Sequence, residues 1–166
     1  HLARGVCGFV RWFGGDIERV LDVGAGTGLW GGWFRTNLPH ARYRSIDVSE
    51  YACAKYGHEP RDIVRWRARE KFDLIICQGV LPYLDDAACG KAVANMALMS
   101  RGFLYVEAIT ARDLRVVCDR TRTDISVHAR PATFYRRILA RHFEALGCGL
   151  HHVKDGDKLF YELEHG

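Results

Sequence analysis

Along the 166-residue chain, short runs of consecutive apolar residues alternate with longer stretches whose apolar positions recur at helical spacing. Runs of the first kind read as strands buried on both faces, and stretches of the second as amphipathic helices. Leu2–Phe13 predicts a leading helix closed by Gly14-Gly15, and Arg19–Val23 a buried strand followed by the glycine loop Gly24–Gly28. Leu29–Leu38 predicts a helix stopped at Pro39, Arg42–Asp47 a second strand, and Ser49 the N-cap of a helix reaching Tyr56. Gly57–Lys71 carries no clear period. Phe72–Cys77 predicts a strand, Asp85 or Asp86 the cap of a helix to Met99, and Gly102–Ile109 a further strand. Arg112–Arg130 reads as an irregular or partly helical connection. After Pro131, the spacing of Phe134, Ile138, Leu139 and Phe143 predicts a helix over Ala132–Leu146, with Gly147 where a C-terminal cap belongs. Asp155-Gly156-Asp157 predicts a hairpin between His151–Lys154 and Lys158–Glu164, because D-G is a strong turn signal.

Strands alternating with helices predict an α/β fold, a largely parallel sheet covered on both faces. No linker or repeat interrupts the pattern, so residues 1–166 read as one domain. Hydrophobic residues make up 48% and charged residues 27%, a balance that builds a core and excludes disordered and collagen-like classes. No apolar run approaches the roughly 20 residues needed to span a bilayer, and the N-terminus shows no signal-peptide pattern. The expectation is a cytoplasmic protein without a membrane partner. Because the sequence starts at His1 rather than Met, an upstream segment is expected to be missing.

Cys7, Cys53, Cys77, Cys89, Cys118 and Cys148 lie 12 to 46 residues apart with no C-x-x-C pair, which predicts free thiols in a reducing compartment. No clustered ligand set predicts a metal. His151-His152 is expected at the surface. The net charge is +4, and Ala111–Arg141 alone carries eight arginines against Asp113, Asp119 and Asp124. Two readings of that surplus stand: a solvated face, or a mouth that attracts an anionic substrate. The arginines are scattered and no aromatic stacking platform interleaves them, which disfavours a nucleic-acid partner.

The sharpest signal is Asp22-x-Gly24-x-Gly26-x-Gly28, where alternate glycines turn a strand tightly into a helix and let a ligand approach the backbone. A dinucleotide fingerprint requires a third small residue at position 29, and that residue is Leu29, which disfavours a nicotinamide-dependent oxidoreductase. Asp47 ends the second strand, where a carboxylate can accept from ribose hydroxyls. Phe72-Asp73-Leu74-Ile75-Ile76-Cys77-Gln78 leads into Gly79-Val80-Leu81-Pro82-Tyr83-Leu84, and Asp62-Ile63 follows Arg61.

Together these segments resemble the class I S-adenosylmethionine-dependent methyltransferases over roughly Arg19–Gly166. The resemblance implies a Rossmann-like, doubly wound, mostly parallel seven-stranded sheet with an antiparallel last strand. It implies S-adenosyl-L-methionine as cofactor, with Gly24, Ala25, Gly26 and Gly28 against the methionine portion and Asp22 helping to hold its amino group. Asp47 with Val48 falls at the ribose, Asp62 and Ile63 at the adenine, and Cys77 and Gln78 near the methionine end. Trp12 and Phe13, on the leading helix, are expected in the core. Tyr83 stands where the family commonly has histidine.

Motifs that would name the acceptor are missing. The loop after Ile76 has no Asn/Asp-Pro-Pro-aromatic run, no proline precedes a cysteine, no carboxylate ends the fourth strand, and no glutamate lies between Glu70 and Glu107. A small-molecule acceptor, with an anionic one favoured by the arginines, is the remaining expectation. Its candidate partners are Tyr83, Glu107 and His128 on the catalytic side, and Arg130 with Tyr135 to hold an acid group. A second reading stays open: a cofactor-binding protein of this fold without turnover, serving as a regulatory or partner subunit. The sequence sets neither the methylated atom nor the oligomeric state.

Overall fold

The computed structural model describes residues 1–119, 121 and 124–156. Strands β1 (Arg19–Val23), β2 (Arg42–Asp47), β3 (Glu59–Pro60), β4 (Phe72–Gln78), β5 (Ser100–Glu107), β6 (Phe143–Gly147) and β7 (Leu150–Val153) form one sheet. Its order is β3-β2-β1-β4-β5-β7-β6. The first five strands pair in parallel, and β7 runs antiparallel to both β5 and β6. Helices are α1 (Leu2–Trp12), α2 (Leu29–Asn37), α3 (Glu50–Tyr56), α4 (Asp86–Met99), α5 (Ala111–Val116) and α6 (Ala132–Leu139). This is the expected doubly wound α/β architecture.

The period of two along each strand divides the core into two layers. Val20, Leu74, Ile76, Phe103 and Tyr105 pack against Val6 and Val10 of α1 and Trp30 and Phe34 of α2. Leu21, Val23, Ile75, Cys77 and Leu104 face the opposite way, against Val93 and Met96 of α4 and Ile138 and Leu139 of α6. Phe13 belongs to the core as expected, but Trp12 is 64% exposed. Residues 12 and 13 are successive on one turn, so they face different directions.

Beneath the sheet, buried Asp73 ties three segments together. Its carboxylate accepts from the N–H groups of Glu18 and Arg19 at 2.9 and 2.7 Å and pairs with Arg101. The ladder between β4 and β5 shifts register beside it, and Gly102 passes so close that a Cβ there would lie 2.8 Å from the Asp73 carbonyl.

The C-terminal third departs from expectation. The helix predicted over Ala132–Leu146 ends at Leu139, and Phe143–Gly147 is a strand. Phe143 fits both periods. Helix preferences of these residues differ by only tenths of a kcal/mol each, so pairing with β7 decides. Gly147 is not a helix cap. It leads into the two-residue turn Cys148-Gly149, whose φ values of 49° and 78° meet the need of a type I′ hairpin for positive φ at both positions. This hairpin precedes the one predicted at Asp155-Gly156-Asp157, whose first strand overlaps β7 and whose second, Lys158–Glu164, lies outside the described residues. His152 is buried, edge-on to Phe103, rather than at the surface; its neighbour His151 is half-buried. All six cysteines are free thiols, and among the described residues no helix is long and apolar enough to cross a membrane.

Candidate cofactor and acceptor site

The site lies along the carboxyl ends of β1, β2, β4 and β5, where an open α/β sheet offers its strand ends to ligands. β1 delivers buried Asp22 and stops at Val23; the chain then turns through Gly24, Gly26 and Gly28 at φ 66°, 52° and 73°. Those angles cost non-glycine residues about 1 kcal/mol or more each. At Gly24 there is a second constraint, since a Cβ would come within 2.3 Å of Val80. At Gly26 the space above the backbone is open, the nearest atom to a Cβ position being 3.9 Å away. Gly28 caps α2.

Asp47 braces this loop from β2. One carboxylate oxygen accepts from Gly26 N–H at 2.9 Å and the other from Ser49 N–H at 2.8 Å. Ser49 is the expected N-cap of α3, accepting from Ala52 N–H. Each Asp47 oxygen keeps acceptor capacity after these bonds. Asp22 accepts from the Tyr43 hydroxyl. Burial pushes the Asp22 carboxyl up to about 6, against the pull of that hydroxyl and of nearby His58. Asp22 is thus a buried acid that no lysine or arginine neutralises among the described residues.

Val48, Asp62 and Tyr83 come together in a groove of about 510 Å3. Asp62 accepts from Val64 N–H at 2.8 Å and lies 3.7 Å from Arg65, while Ile63 is buried in the core. Cys77 is fully buried, and burial raises its thiol to about 12, so it is inert packing.

On the β4–β5 side, four side chains form a directional chain. Trp30 Nε1 donates to Gln78 Oε1 at 2.8 Å, Gln78 Nε2 donates to Glu107 Oε2 at 3.1 Å, and the Tyr105 hydroxyl donates to the same oxygen at 3.1 Å. Indole nitrogen only donates, which fixes the Gln78 amide and points its NH2 at Glu107. Burial and the carboxylate raise Tyr105 to about 12, keeping it a donor. Exposed Tyr83 donates to Asp124 at 3.1 Å, and the backbone of exposed His128 donates to the Pro82 carbonyl at 2.8 Å. That bond lays the segment around His128 over the Leu81–Tyr83 turn.

The structure does not bring Arg130 and Tyr135 to this mouth. Arg130 is buried, with Nε on Asp86 at 2.7 Å, Nη2 on the Leu84 carbonyl at 2.5 Å and its guanidinium over Phe134. The Tyr135 hydroxyl is buried and without a hydrogen-bond partner among the described residues. An arginine holding the start of α4 has no free edge for an acid group, so the expected substrate grip becomes a structural tie. Among the described residues no three His, Cys, Asp or Glu side chains converge as a metal would require.

The family profile described as "Methyltransferase domain" matches residues 21–104, from β1 into β5. The chain belongs to this methyltransferase family. No curated protein shows a significant match to the sequence, but solved structures do. The plantazolicin methyltransferase BpumL, determined with a desmethyl plantazolicin analogue and SAH, is 15% identical over 84% of this chain and 61% of its own, with a TM-score of 0.69. The N-methyltransferase NodS from Bradyrhizobium japonicum, determined with S-adenosyl-L-homocysteine, is 20% identical over 93% and 88%, with a TM-score of 0.66. An S-adenosylmethionine-dependent methyltransferase from Clostridium acetobutylicum is 14% identical over 94% and 91%, with a TM-score of 0.72. The chain spans about three-fifths of the length of the plantazolicin enzyme.

Two residues at the heart of this candidate site escaped the sequence reading. Trp30 was readable only as a helical core aromatic, yet it orients Gln78. His58 stands in the segment without a period and contacts both β2 and the glycine loop, through Ser45 and the Gly26 carbonyl. No local pattern marks either one.

Proposed function

We propose that the protein binds S-adenosyl-L-methionine and moves its methyl group to a small-molecule acceptor by in-line displacement. The observation that carries this reading is the open glycine loop braced by Asp47, with cation-free Asp22 beneath it. When bound, the cofactor supplies a sulfonium-activated methyl group. Gly24, Ala25, Gly26 and Gly28 leave the backbone accessible to its methionine portion, and ionised Asp22 complements an ammonium. Asp47 accepts from ribose hydroxyls, exposed Val48 flanks the adenine with Asp62 and the Ile63 backbone at its amino edge, and Gln78 with the backbone of Cys77 closes the methionine end.

On the acceptor side Glu107 is the base or orienter. Its carboxylate is held by Gln78 and Tyr105, and its second oxygen is left to receive a proton. Tyr83 and His128 line the same mouth and position the acceptor. Alignment of the two reactants supplies the main rate term, on the order of 7–11 kcal/mol for well-oriented groups. The plantazolicin enzyme, determined with a desmethyl plantazolicin analogue, supports this reading. With Arg130 committed to the core, the case for an anionic acceptor loses its principal side chain.

Calorimetric titration with S-adenosylhomocysteine tests the reading, with NAD as control. Micromolar binding that Asp47→Ala weakens at least tenfold is expected. No binding by the unaltered chain would sink it. Binding without methyl transfer to any acceptor in a broad panel would favour the alternative, a regulatory or partner subunit.

A further inference from the structure

Gly26 is held on both of its peptide planes by side chains from outside the loop. Its N–H donates to Asp47 Oδ2 at 2.9 Å, which fixes the Ala25–Gly26 plane. Its carbonyl accepts from His58 Nε2 at 3.0 Å, which fixes the Gly26–Thr27 plane. A carbonyl only accepts, so Nε2 carries the proton. On the other side of the ring, Nδ1 meets Ser45 Oγ at 2.9 Å. The ring is 7% exposed and lies against Tyr56 at 6.1 Å between centroids.

The chain is built to bring the ring there. Asp47 and His58 bracket α3: the acid immediately precedes Val48 and the Ser49 cap, and the histidine follows Gly57. Gly57, at φ 78°, ends α3 in the left-handed conformation and turns the chain back toward the loop. Ser45 sits on β2 in register with Asp22 of β1. The ring therefore hangs from β2 and reaches across to the loop.

The consequence concerns the amide after Gly26. In a trans peptide the N–H points opposite to the carbonyl, and no described peptide bond is cis. Drawing the Gly26 carbonyl toward His58 turns the Thr27 N–H away from it. Glycine at φ 52° resists rotation of this plane very little, because it populates both signs of φ. Something outside the loop must hold it.

We propose that His58 is a positioning residue for the cofactor: by holding the Gly26 carbonyl it sets the direction of the Thr27 amide and the shape of the loop that receives the methionine portion. The inference rests on the reading of that loop as the S-adenosylmethionine cradle. Asp47 and His58 then act as a pair, one on each peptide plane of Gly26, and only the first is announced by a motif.

The test is titration of S-adenosylhomocysteine into the full chain and into His58→Ala, His58→Asn and His58→Gln, with the thermal midpoint of each recorded. The glutamine amide reaches the position of Nε2 and can donate to Gly26. The asparagine amide reaches only the position of Nδ1. At least tenfold weaker binding is expected for the alanine and asparagine variants, with glutamine returning to within threefold of the unaltered chain. Unchanged affinity in all three overturns the proposal. So does a loss in glutamine equal to that in alanine and tracking the midpoint, which would make His58 a packing residue. If the alanine variant does not fold, the asparagine–glutamine pair decides. Failure of the unaltered chain to bind would instead overturn the cofactor reading, and this inference with it.

Discussion

The two halves of the site are held in different ways. On the β1–β2 side, buried or half-buried side chains grip backbone atoms: Asp47 holds the Gly26 and Ser49 amides and His58 the Gly26 carbonyl, while the Tyr43 hydroxyl holds the Asp22 carboxylate. On the β4–β5 side, side chains hold one another near solvent: Gln78 and Tyr105 hold exposed Glu107, and exposed Tyr83 meets Asp124. Backbone gripped by buried groups gives one fixed shape, which suits a single unvarying ligand. The exposed members of the β4–β5 side, Glu107 and Tyr83, can be exchanged without removing a core side chain, while Trp30 and Tyr105 anchor that side from the core. This division fits a scaffold that keeps its cofactor while acceptors differ.

The strongest way to separate the halves is Glu107→Gln. The amide keeps an acceptor for Gln78 and Tyr105 but removes the proton acceptor. Turnover is expected to fall on the order of a hundredfold or more, while affinity for S-adenosylhomocysteine, by calorimetry, stays within threefold. Equal losses in both would show Glu107 to be part of the cofactor half.

Gly24→Ala should do the reverse. With φ at 66° and a Cβ 2.3 Å from Val80, the loop must shift. Cofactor affinity is expected to drop roughly a hundredfold, equivalent to about 2.8 kcal/mol. Retained binding would show that the loop tolerates displacement and that the rigidity contrast is wrong.

Asp22 sharpens the comparison through pH. Its folded pKa of about 6 lies above the ordinary carboxyl value of 3.8, so the folded state binds this proton more tightly than the unfolded one. Stability from this group is therefore full below pH 3.8 and is lost as pH rises through about 6, by roughly 3 kcal/mol in all. Asp22→Asn should raise the thermal midpoint of the ligand-free protein at pH 7.5 and not at pH 4. Cofactor binding should run the other way, weakening up to tenfold per unit as pH falls below about 6, because only the ionised acid complements an ammonium. A flat binding profile between pH 5 and 7 would remove Asp22 from the cofactor contacts.

The smallest effect is expected at His128. Its backbone, not its ring, makes the contact that lays the segment over Pro82. In His128→Ala, KM for the acceptor should rise no more than a fewfold with kcat unchanged. A hundredfold fall in kcat would move the base from Glu107 to His128.

Much of the cofactor half was legible because its signals are local. Asp22, Gly24, Gly26 and Gly28 lie within one strand-to-helix turn, and Ser49 caps the helix that begins beside it. The residues that escaped act over distance. His58 meets a carbonyl 32 positions away and Trp30 meets an amide 48 away, so neither leaves a pattern in its own neighbourhood. Strand β6 escaped for a different reason. Phe143 and Leu146 suit a helix as well as a strand, and the turn that decides between them uses Cys148 at positive φ, a residue with no turn preference. The Asp-Gly pair downstream was the stronger turn signal, and the turn at Cys148-Gly149 went unread beside it.

Strand β3 consists of Glu59 and Pro60 alone and forms one margin of the sheet. Proline has no N–H to offer, and two residues give an incoming chain almost no ladder to extend. Strand-by-strand aggregation, the ordinary hazard of a sheet with so apolar a centre, finds no template on this side. The brevity that hid β3 within an unreadable stretch also blunts that margin against recruiting another copy.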